Sequence, residues 1–447
     1  MTFGLKDGSI IARITYREFK RMNPQTNRRL FLRTAAATSL MAGFPNILRA
    51  QGQTAKLKIG LIGCGGRGTG AADQALSADP NVVLWSVADA FSGQITNSLG
   101  YLSKKFGAKV EVPDARQFSG LDAYQKLLDS GVDVVLLATP PGFRPLHLRA
   151  AVDAGKHVFA EKPMAVDVAG VKSVLESARI AKEKNLTLQH GFCWRFSPNT
   201  RAGYGKVHSG EMGRVISVYG TYMGGVPKPS TAVKDRDPKL GDVEWQVRNW
   251  MAHEWLSGGP LLEQAIHTVD KIAWAMNDVA PIAARGGGGR AQRSDDGNVW
   301  DHYEVTFEYP NEVFCHINQR QMAQCFSEVK DRVLCEKGSM EAPDRVLTKD
   351  PSGKVNWAYR GDTTNMYQVC HNEWFAAIRK GEALNTGEYM ANSTMLAILG
   401  REAAHSGQRV TWADLWNAKQ DFAPDSLQMG DKNPTQEVPV PGKYKLI

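Results

Sequence analysis

A chain of 447 residues that is 43% hydrophobic and 22% charged has room for two or three well-buried domains and the composition of an ordinary globular protein. Its formal net charge of +8 is carried by residues 1–56, with ten Lys/Arg against two Asp/Glu; the balanced remainder does not imply a basic nucleic-acid face, and no nucleic-acid partner is expected. Six scattered cysteines without a CxxC pair argue against a thiolate zinc site or a small disulfide scaffold.

The N-terminal segment reads as an export leader. Asn27-Arg28-Arg29-Leu30-Phe31-Leu32 matches a twin-arginine signal, and the uncharged Ala-rich stretch after Arg33 is too short and too weakly apolar for a permanent span. Export by the twin-arginine machinery to the periplasm is the expectation, with Met22 well placed as the start. Leu48-Arg49-Ala50 is a weak cleavage site, so anchoring by an uncleaved signal stays open beside release. Residues 1–55 are set apart from the fold.

Residues 56–183 read as a dinucleotide-binding Rossmann domain. Leu57–Ile62 is an apolar strand, followed at once by Gly63-Cys64-Gly65-Gly66-Arg67-Gly68. Gly63, Gly65 and Gly68 satisfy GxGxxG: the first permits the tight turn, the second lets a pyrophosphate approach, and the third lets the next helix pack closely. That helix, through 71–78, directs its N-terminal N–H groups at phosphates, with Gly66 and Arg67 in the turn. A second strand, 82–88, ends in Asp89, 21 residues past Gly68. A carboxylate there accepts from a ribose 2′-OH and repels a 2′-phosphate, so NAD is expected over NADP, with Arg67 able to soften the preference.

Next come an apolar strand at 132–138, Thr139-Pro140, a helix with His147, a strand at 156–160 and Glu161-Lys162-Pro163. Strands alternating with helices predict a doubly wound parallel sheet, and ligands bind at the C-terminal ends of its strands. Thr139, Pro140, His147, Glu161 and Lys162 therefore join the glycines and Asp89 as cofactor-site candidates.

Residues 184–421 read as an α+β domain opened by a strand at 186–192. Further strands around 215–222, 302–309, 313–320 and 328–336 predict a large, mostly antiparallel open sheet, a candidate homo-oligomer face. Helices are expected at 368–379 and 394–405. Two stretches read as loops: polar, Pro-rich 224–242, and 285–298, whose four consecutive glycines suggest a surface insertion. Between them, Trp245, Trp250 and Trp255 mix with Arg248, His253 and Glu254, which suits a sugar, with core packing the competing account for Trp245 and Trp250. Residues 422–447 read as an extended or disordered tail.

The glycine turn, Asp89, Thr139-Pro140, AGKHVFAEKP and GGPLLEQAIHTVD together resemble the Gfo/Idh/MocA family, which includes glucose–fructose oxidoreductases and inositol dehydrogenases. The resemblance covers the chain from Lys56 to about Trp412. It implies that Lys162 lies beside nicotinamide and substrate, that Glu263 and His267 form the second signature with Asp270 on the same helical face, and that Trp194-Arg195-Phe196 lies near the substrate. Many relatives carry Asp where this chain has Glu263. The residue types suit the chemistry: His267 as general base, Lys162 holding an alkoxide, Glu263 orienting the imidazole or gripping a hydroxyl. A polar surface face and a carboxylate–imidazole metal chelate are the competing accounts of Glu263, His267 and Asp270; no further ligand cluster supports a metal, and none is expected.

The leading expectation is thus an exported NAD-dependent oxidoreductase of a sugar or sugar derivative. Because a twin-arginine route carries folded proteins, its cofactor would travel bound and be recycled within the catalytic cycle or by a second substrate. An NAD-dependent glycoside hydrolase using transient C3 oxidation is the first alternative, disfavoured by the intact Glu161-Lys162-Pro163. A non-catalytic sugar sensor is the second, disfavoured by the intact Lys162 and His267.

Overall fold

The computed structural model describes residues 55–446 apart from Asp425; the leader through Thr54, and with it the export signal, lies outside the described residues. Six parallel strands form the first sheet: Leu57–Ile62 (β1), Val82–Asp89 (β2), Gln117–Ser119 (β3), Val134–Leu137 (β4), His157–Ala160 (β5) and Leu188–His190 (β6). Their order is β3-β2-β1-β4-β5-β6. Strands β4 and β5 are buried along their whole length, β4 as an unbroken apolar run, because helices cover both faces of the sheet. The connecting helices are Gly66–Ala78 (α1), Ser92–Phe106 (α2), Ala123–Asp129 (α3), Arg144–Asp153 (α4) and Val168–Glu183 (α5).

Two expectations shift here. Helix α1 begins at Gly66, in the glycine turn itself. The strand assigned to the second domain, β6, pairs in parallel with β5 and completes the first sheet. An apolar strand after a crossover helix carries the same local signal whichever sheet receives it.

The second domain opens with Pro198–His208 (α6) and Val215–Gly224 (β7), followed by Asp242–Arg248 (α7) and Ile266–Ala275 (α8). Its strands continue with Ala283–Gly289 (β8), His302–Tyr309 (β9), Val313–Gln321 (β10), Glu328–Cys335 (β11), Gly338–Ala342 (β12), Leu347–Lys349 (β13) and Val355–Ala358 (β14). Helices Met366–Lys380 (α9) and Gly387–Ser406 (α10), a short strand Val410–Thr411 (β15) and Trp412–Asn417 (α11) end the regular structure. The nine strands run β14-β13-β12-β11-β7-β10-β9-β8-β15, antiparallel except where β10 lies parallel to β7. Strand β10 alternates buried and accessible positions, as in a sheet packed on one face only.

The four glycines expected in a surface loop lie in β8 instead. Gly286 to Gly289 pair with Val305 to His302 of β9. A Cβ on Gly286 would stand 2.7 Å from the Glu304 carbonyl oxygen, and one on Gly288 would stand 2.2 Å from that of His302 and 3.0 Å from the Trp300 ring. These glycines mark a close backbone approach within a sheet.

Both halves share one apolar core, in which Leu137, Ala160 and Met164 join Ile266, Val305 and Leu396. Helix α10 is buried almost along its whole length, and α9 returns to the first domain, placing Trp374, Phe375 and Ile378 against Ile59, Leu61 and Phe159. The C-terminal segment takes the extended alternative. Trp300 Nε1 donates to the Pro439 carbonyl at 3.1 Å, and Tyr444 Oη donates to Glu402 Oε2 at 2.8 Å. No described helix is long and apolar enough to cross a membrane.

Candidate active site

A cleft of about 1110 Å³ lies between the C-terminal ends of the first sheet and the second domain. That exceeds the roughly 300–1,000 Å³ of single small-ligand pockets. Gly63, at φ +95°, brings β1 against the end of β4: a Cβ there would lie 2.7 Å from Ala138 C and Thr139 N. A Cβ on Gly68 would lie 1.8 Å from the Gly63 carbonyl oxygen, so α1 packs as closely as GxGxxG requires. Gly65 and Gly66 face open space, and α1 has no side-chain cap, so its leading N–H groups suit a pyrophosphate.

Asp89 stands at one end of the cleft, Oδ2 accepting from Cys64 N at 2.7 Å and Oδ1 from Phe91 N at 2.9 Å. Burial raises its pKa, opposed by these amides and by the Lys228 cation. A glycine cradle at a helix N-terminus with an acid beyond it fits a dinucleotide. Arg67 is directed elsewhere. Its Nε lies 2.8 Å from Glu161 Oε1, Nη2 donates to Gln74 Oε1 at 2.7 Å, and the guanidinium lies 4.7 Å from the Tyr367 ring. Gly191 makes room for this pair, since a Cβ there would fall 2.3 Å from Glu161 Oε2. Thr139 Oγ1 lies 3.1 Å from Nδ1 of His147, whose ring packs on Phe143 and Tyr124 and whose pKa burial lowers to about 3. Pro140 follows Thr139 in the cleft wall.

At the other end the domains meet through Lys162 and Glu263. Lys162 Nζ donates to the Glu263 carbonyl oxygen and lies 3.5 Å from Glu263 Oε1. Gly258 and Gly259, at φ +72° and +83°, turn the chain into the helical turn Pro260–Glu263. His267 is buried at the start of α8 and, unlike Lys162 and Glu263, is not among the residues that line the cleft. Glu263 Oε2 and His267 Nδ1 are both buried without a hydrogen-bond partner. Burial first, then the cations Lys162, Lys271 and Arg67, hold the imidazole well below its ordinary pKa, so it is neutral at physiological pH.

The substrate candidates separate. Trp250 lines the cleft. Arg195 and Asp270 are brought together, but with each other: Nη2 lies 2.9 Å from Asp270 Oδ1 and 2.5 Å from Asp278 Oδ1, and Ser393 Oγ donates to Asp270 at 2.8 Å. Trp194 lies under Lys271, whose Nζ is 5.0 Å from its ring and 2.5 Å from Asp331 Oδ2. His253 is buried outside the cleft lining, and burial lowers its pKa to about 4. Trp245 and Trp255 use their indole N–H groups on Asp296 and Gln246, at 2.8 and 2.7 Å. Cleft residues not singled out from the sequence include Phe91, Arg144, Lys228, Thr231 and Asn249. The Pro-rich loop before the tryptophan segment was the available signal for Lys228 and Thr231. Among the described residues, no group of three His, Cys, Asp or Glu side chains is placed to hold a metal ion.

The parallel sheet with its glycine cradle and the one-sided second sheet define a two-domain dinucleotide-binding architecture. Residues 57–192 match the oxidoreductase family with an NAD-binding Rossmann fold, and residues 205–341 match the GFO/IDH/MocA C-terminal domain. The chain belongs to the Gfo/Idh/MocA oxidoreductase family. Among curated relatives, it is 24% identical over 222 residues to an uncharacterized oxidoreductase of Bacillus subtilis, a stretch covering 49% of this chain and 58% of that protein. It is 26% identical over 287 residues to inositol 2-dehydrogenase 3 of Saccharopolyspora erythraea, covering 62% and 76%. The fold is similar to that of the aldose-aldose oxidoreductase of Caulobacter crescentus, with a TM-score of 0.63 at 18% identity over 80% of this chain and 99% of that one. It is also similar to a levoglucosan dehydrogenase solved with NADH and levoglucosan, with a TM-score of 0.62 at 19% identity over the same shares.

Proposed function

We propose that the protein is an NAD-dependent oxidoreductase of a sugar or polyol, exported with its cofactor bound and recycled on the enzyme. The observation that carries the reading is Lys162 seated on Glu263 at the far end of the glycine cradle, with the neutral His267, whose buried Nδ1 has no hydrogen-bond partner, at the start of the next helix. NAD, when bound, accepts hydride from a carbinol carbon. The Lys162 ammonium holds the oxygen as negative charge develops on it, and His267 Nδ1 takes the hydroxyl proton. Glu263 Oε2 accepts from a neighbouring hydroxyl, and Trp250 covers a C–H face. Relatives named for inositol, levoglucosan and aldoses support a polyhydroxylated substrate.

Export and recycling are inferred together from the twin-arginine sequence at Arg28-Arg29, since a cofactor carried outside the cell has little free pool to exchange with. The deciding experiment purifies the leaderless protein without added nucleotide, denatures it and identifies the released ligand by mass spectrometry. Near-stoichiometric NAD(H), with turnover of a sugar pair and no added NAD, is the expected result. Glycoside cleavage without net oxidation would move the assignment to a redox-assisted glycosidase. Empty protein that needs added NAD would remove recycling. His267→Ala is expected to abolish turnover and retain the cofactor; undiminished turnover would remove His267 from the mechanism.

The uncovered face of the second sheet, with Tyr219, Phe314 and His316, is the surface we assign to pairing with a second copy. A Phe314→Glu chain sedimenting like the native one would contradict this assignment.

A further inference from the structure

Part of the cofactor cleft is built by the second domain. After β7 the chain leaves the sheet, and Lys228, Pro229 and Thr231, then Val247 to Met251, line the same cleft as Asp89 and Phe91. The segment is fastened on two sides. Toward the first domain, Val243, Val247 and Leu256 form a separate apolar cluster with Phe143, and Ala90, Phe91, Leu121 and Trp250 pack against it. Arg248 lies 4.2 Å from the Phe91 ring, its Nη2 donating to Glu244 Oε1 at 2.5 Å. Thr231 N donates to Asn249 Oδ1 at 2.8 Å, tying the loop to the end of α7.

The C-terminal arm fastens the other side. Asp242 N donates to the Asp431 carbonyl at 2.9 Å, Glu244 N to that of Met429 at 3.2 Å, and Asn433 N to Asp242 Oδ2 at 3.1 Å. Leu427 joins the apolar cluster. Gly241 permits the crossing, since a Cβ there would fall 2.3 Å from the Met429 carbonyl oxygen.

The geometry points to a strap: residues 228–251, held down by the C-terminal arm, close over the adenosine half of the bound dinucleotide, with Lys228 and Arg248 as cofactor-binding residues supplied by the second domain. The adenosine half is specified because the strap meets the first domain at Ala90 and Phe91, directly after the ribose-binding position Asp89, whereas Lys162 and Glu263 mark the reacting end. The Lys228 cation acts on the Asp89 carboxylate, in agreement with that placement. Cofactor release then requires an apolar cluster to part, which makes exchange slow. The inference rests on reading the cleft as a dinucleotide site.

The test uses ADP-ribose, which keeps the adenosine half and lacks nicotinamide. Full-length protein, Lys228→Ala, Arg248→Ala and Leu427→Asp would be titrated with NADH and ADP-ribose, and NADH release followed after mixing with excess ADP-ribose. The two exposed cation variants are expected to weaken both ligands about 5- to 10-fold, and Leu427→Asp to speed release at least ~10-fold. Glu263→Ala should leave ADP-ribose affinity unchanged. Native affinity and release in Lys228→Ala and Arg248→Ala, whose exposed side chains leave the core intact, overturn the strap while the dinucleotide reading stands. A native protein that binds neither ligand after any co-purified nucleotide has been removed overturns both.

Discussion

Glu263 and Asp270 stand seven residues apart but not on the one helical face their spacing suggests, since Glu263 ends the short turn Pro260–Glu263 and Asp270 lies within α8; each is beside a cation from another part of the chain, and their surroundings differ. Glu263 meets Lys162 at 3.5 Å in the cleft wall, and its Oε2 has no partner. Asp270 is 1% exposed, pairs with Arg195 at 2.9 Å and takes a further hydrogen bond from Ser393. Helical periodicity would bring both acids to the same face, but the turn at Gln264-Ala265 breaks the helix between them. What differs is how much of each carboxylate's hydrogen-bonding capacity the fold has already used. A loosely held acid with a free oxygen can act on a ligand, whereas a buried acid whose partners are in place holds the structure together.

The largest effect expected from breaking this comparison is at the cleft pair. Lys162→Ala should lower kcat by about 10²–10³-fold, the loss typical of one charge-stabilising donor, with NAD still recovered from the denatured protein. Equal loss of cofactor and turnover would make Lys162 a binding residue only.

At the buried pair the loss should fall on stability. Asp270→Ala leaves the Arg195 guanidinium short of a partner and is expected to cost about 3–5 kcal/mol in urea unfolding, against less than ~1 kcal/mol for Glu263→Ala. An Asp270→Ala protein of native stability with a raised KM for sugar would reverse the two roles.

Histidines extend the same contrast to pH. Burial lowers His157 to about 4 and His371 to about 3, well below the unfolded value near 6.5. Between those limits the unfolded chain binds more protons, so stability is fully present above about pH 6.5 and is lost as pH falls toward about 4. His157→Gln should flatten that slope by up to ~1.4 kcal/mol per pH unit while leaving turnover in place. An unchanged slope would mean that His157 is not buried neutral. The smallest effect is expected at the surface, where Arg179 bridges Glu176 and Glu183 in open solvent. Arg179→Ala should leave the unfolding midpoint unchanged within error, and a clear drop would show this exposed network to be coupled to the core.

How far the site was legible follows the same division. The glycine turn, Asp89, Thr139 and Lys162 fall at the ends of short apolar strands, so local pattern was enough to place them in one crevice. Glu263 and His267 could be put on one face by spacing. That Asp270 would meet Arg195, from the segment after β6, depended on a contact 75 residues away in sequence. Gly286 to Gly289 misled because unbroken glycine carries no alternation of side chains, and only the neighbouring carbonyls of β9 show that nothing larger fits at Gly286 and Gly288. The loop at 224–242 looked like an insertion because its polar residues have no periodic face. Lys228, Pro229 and Thr231 of this loop line the cleft, and Val243 and Val247 just after it pack with Ala90, Phe91 and Leu427, which joins three distant parts of the chain.

The sequence by itself determined four adjacent strands of the nucleotide-binding sheet, the glycine cradle and the acid beyond it, because each follows from short-range pattern and backbone sterics. Tertiary structure alone decided which sheet received β6, which acid kept a free oxygen, and that a segment of the second domain and the C-terminal arm close one side of the cleft. Those outcomes depend on which buried partners and apolar surfaces meet across the fold, and no local run of residues encodes that meeting.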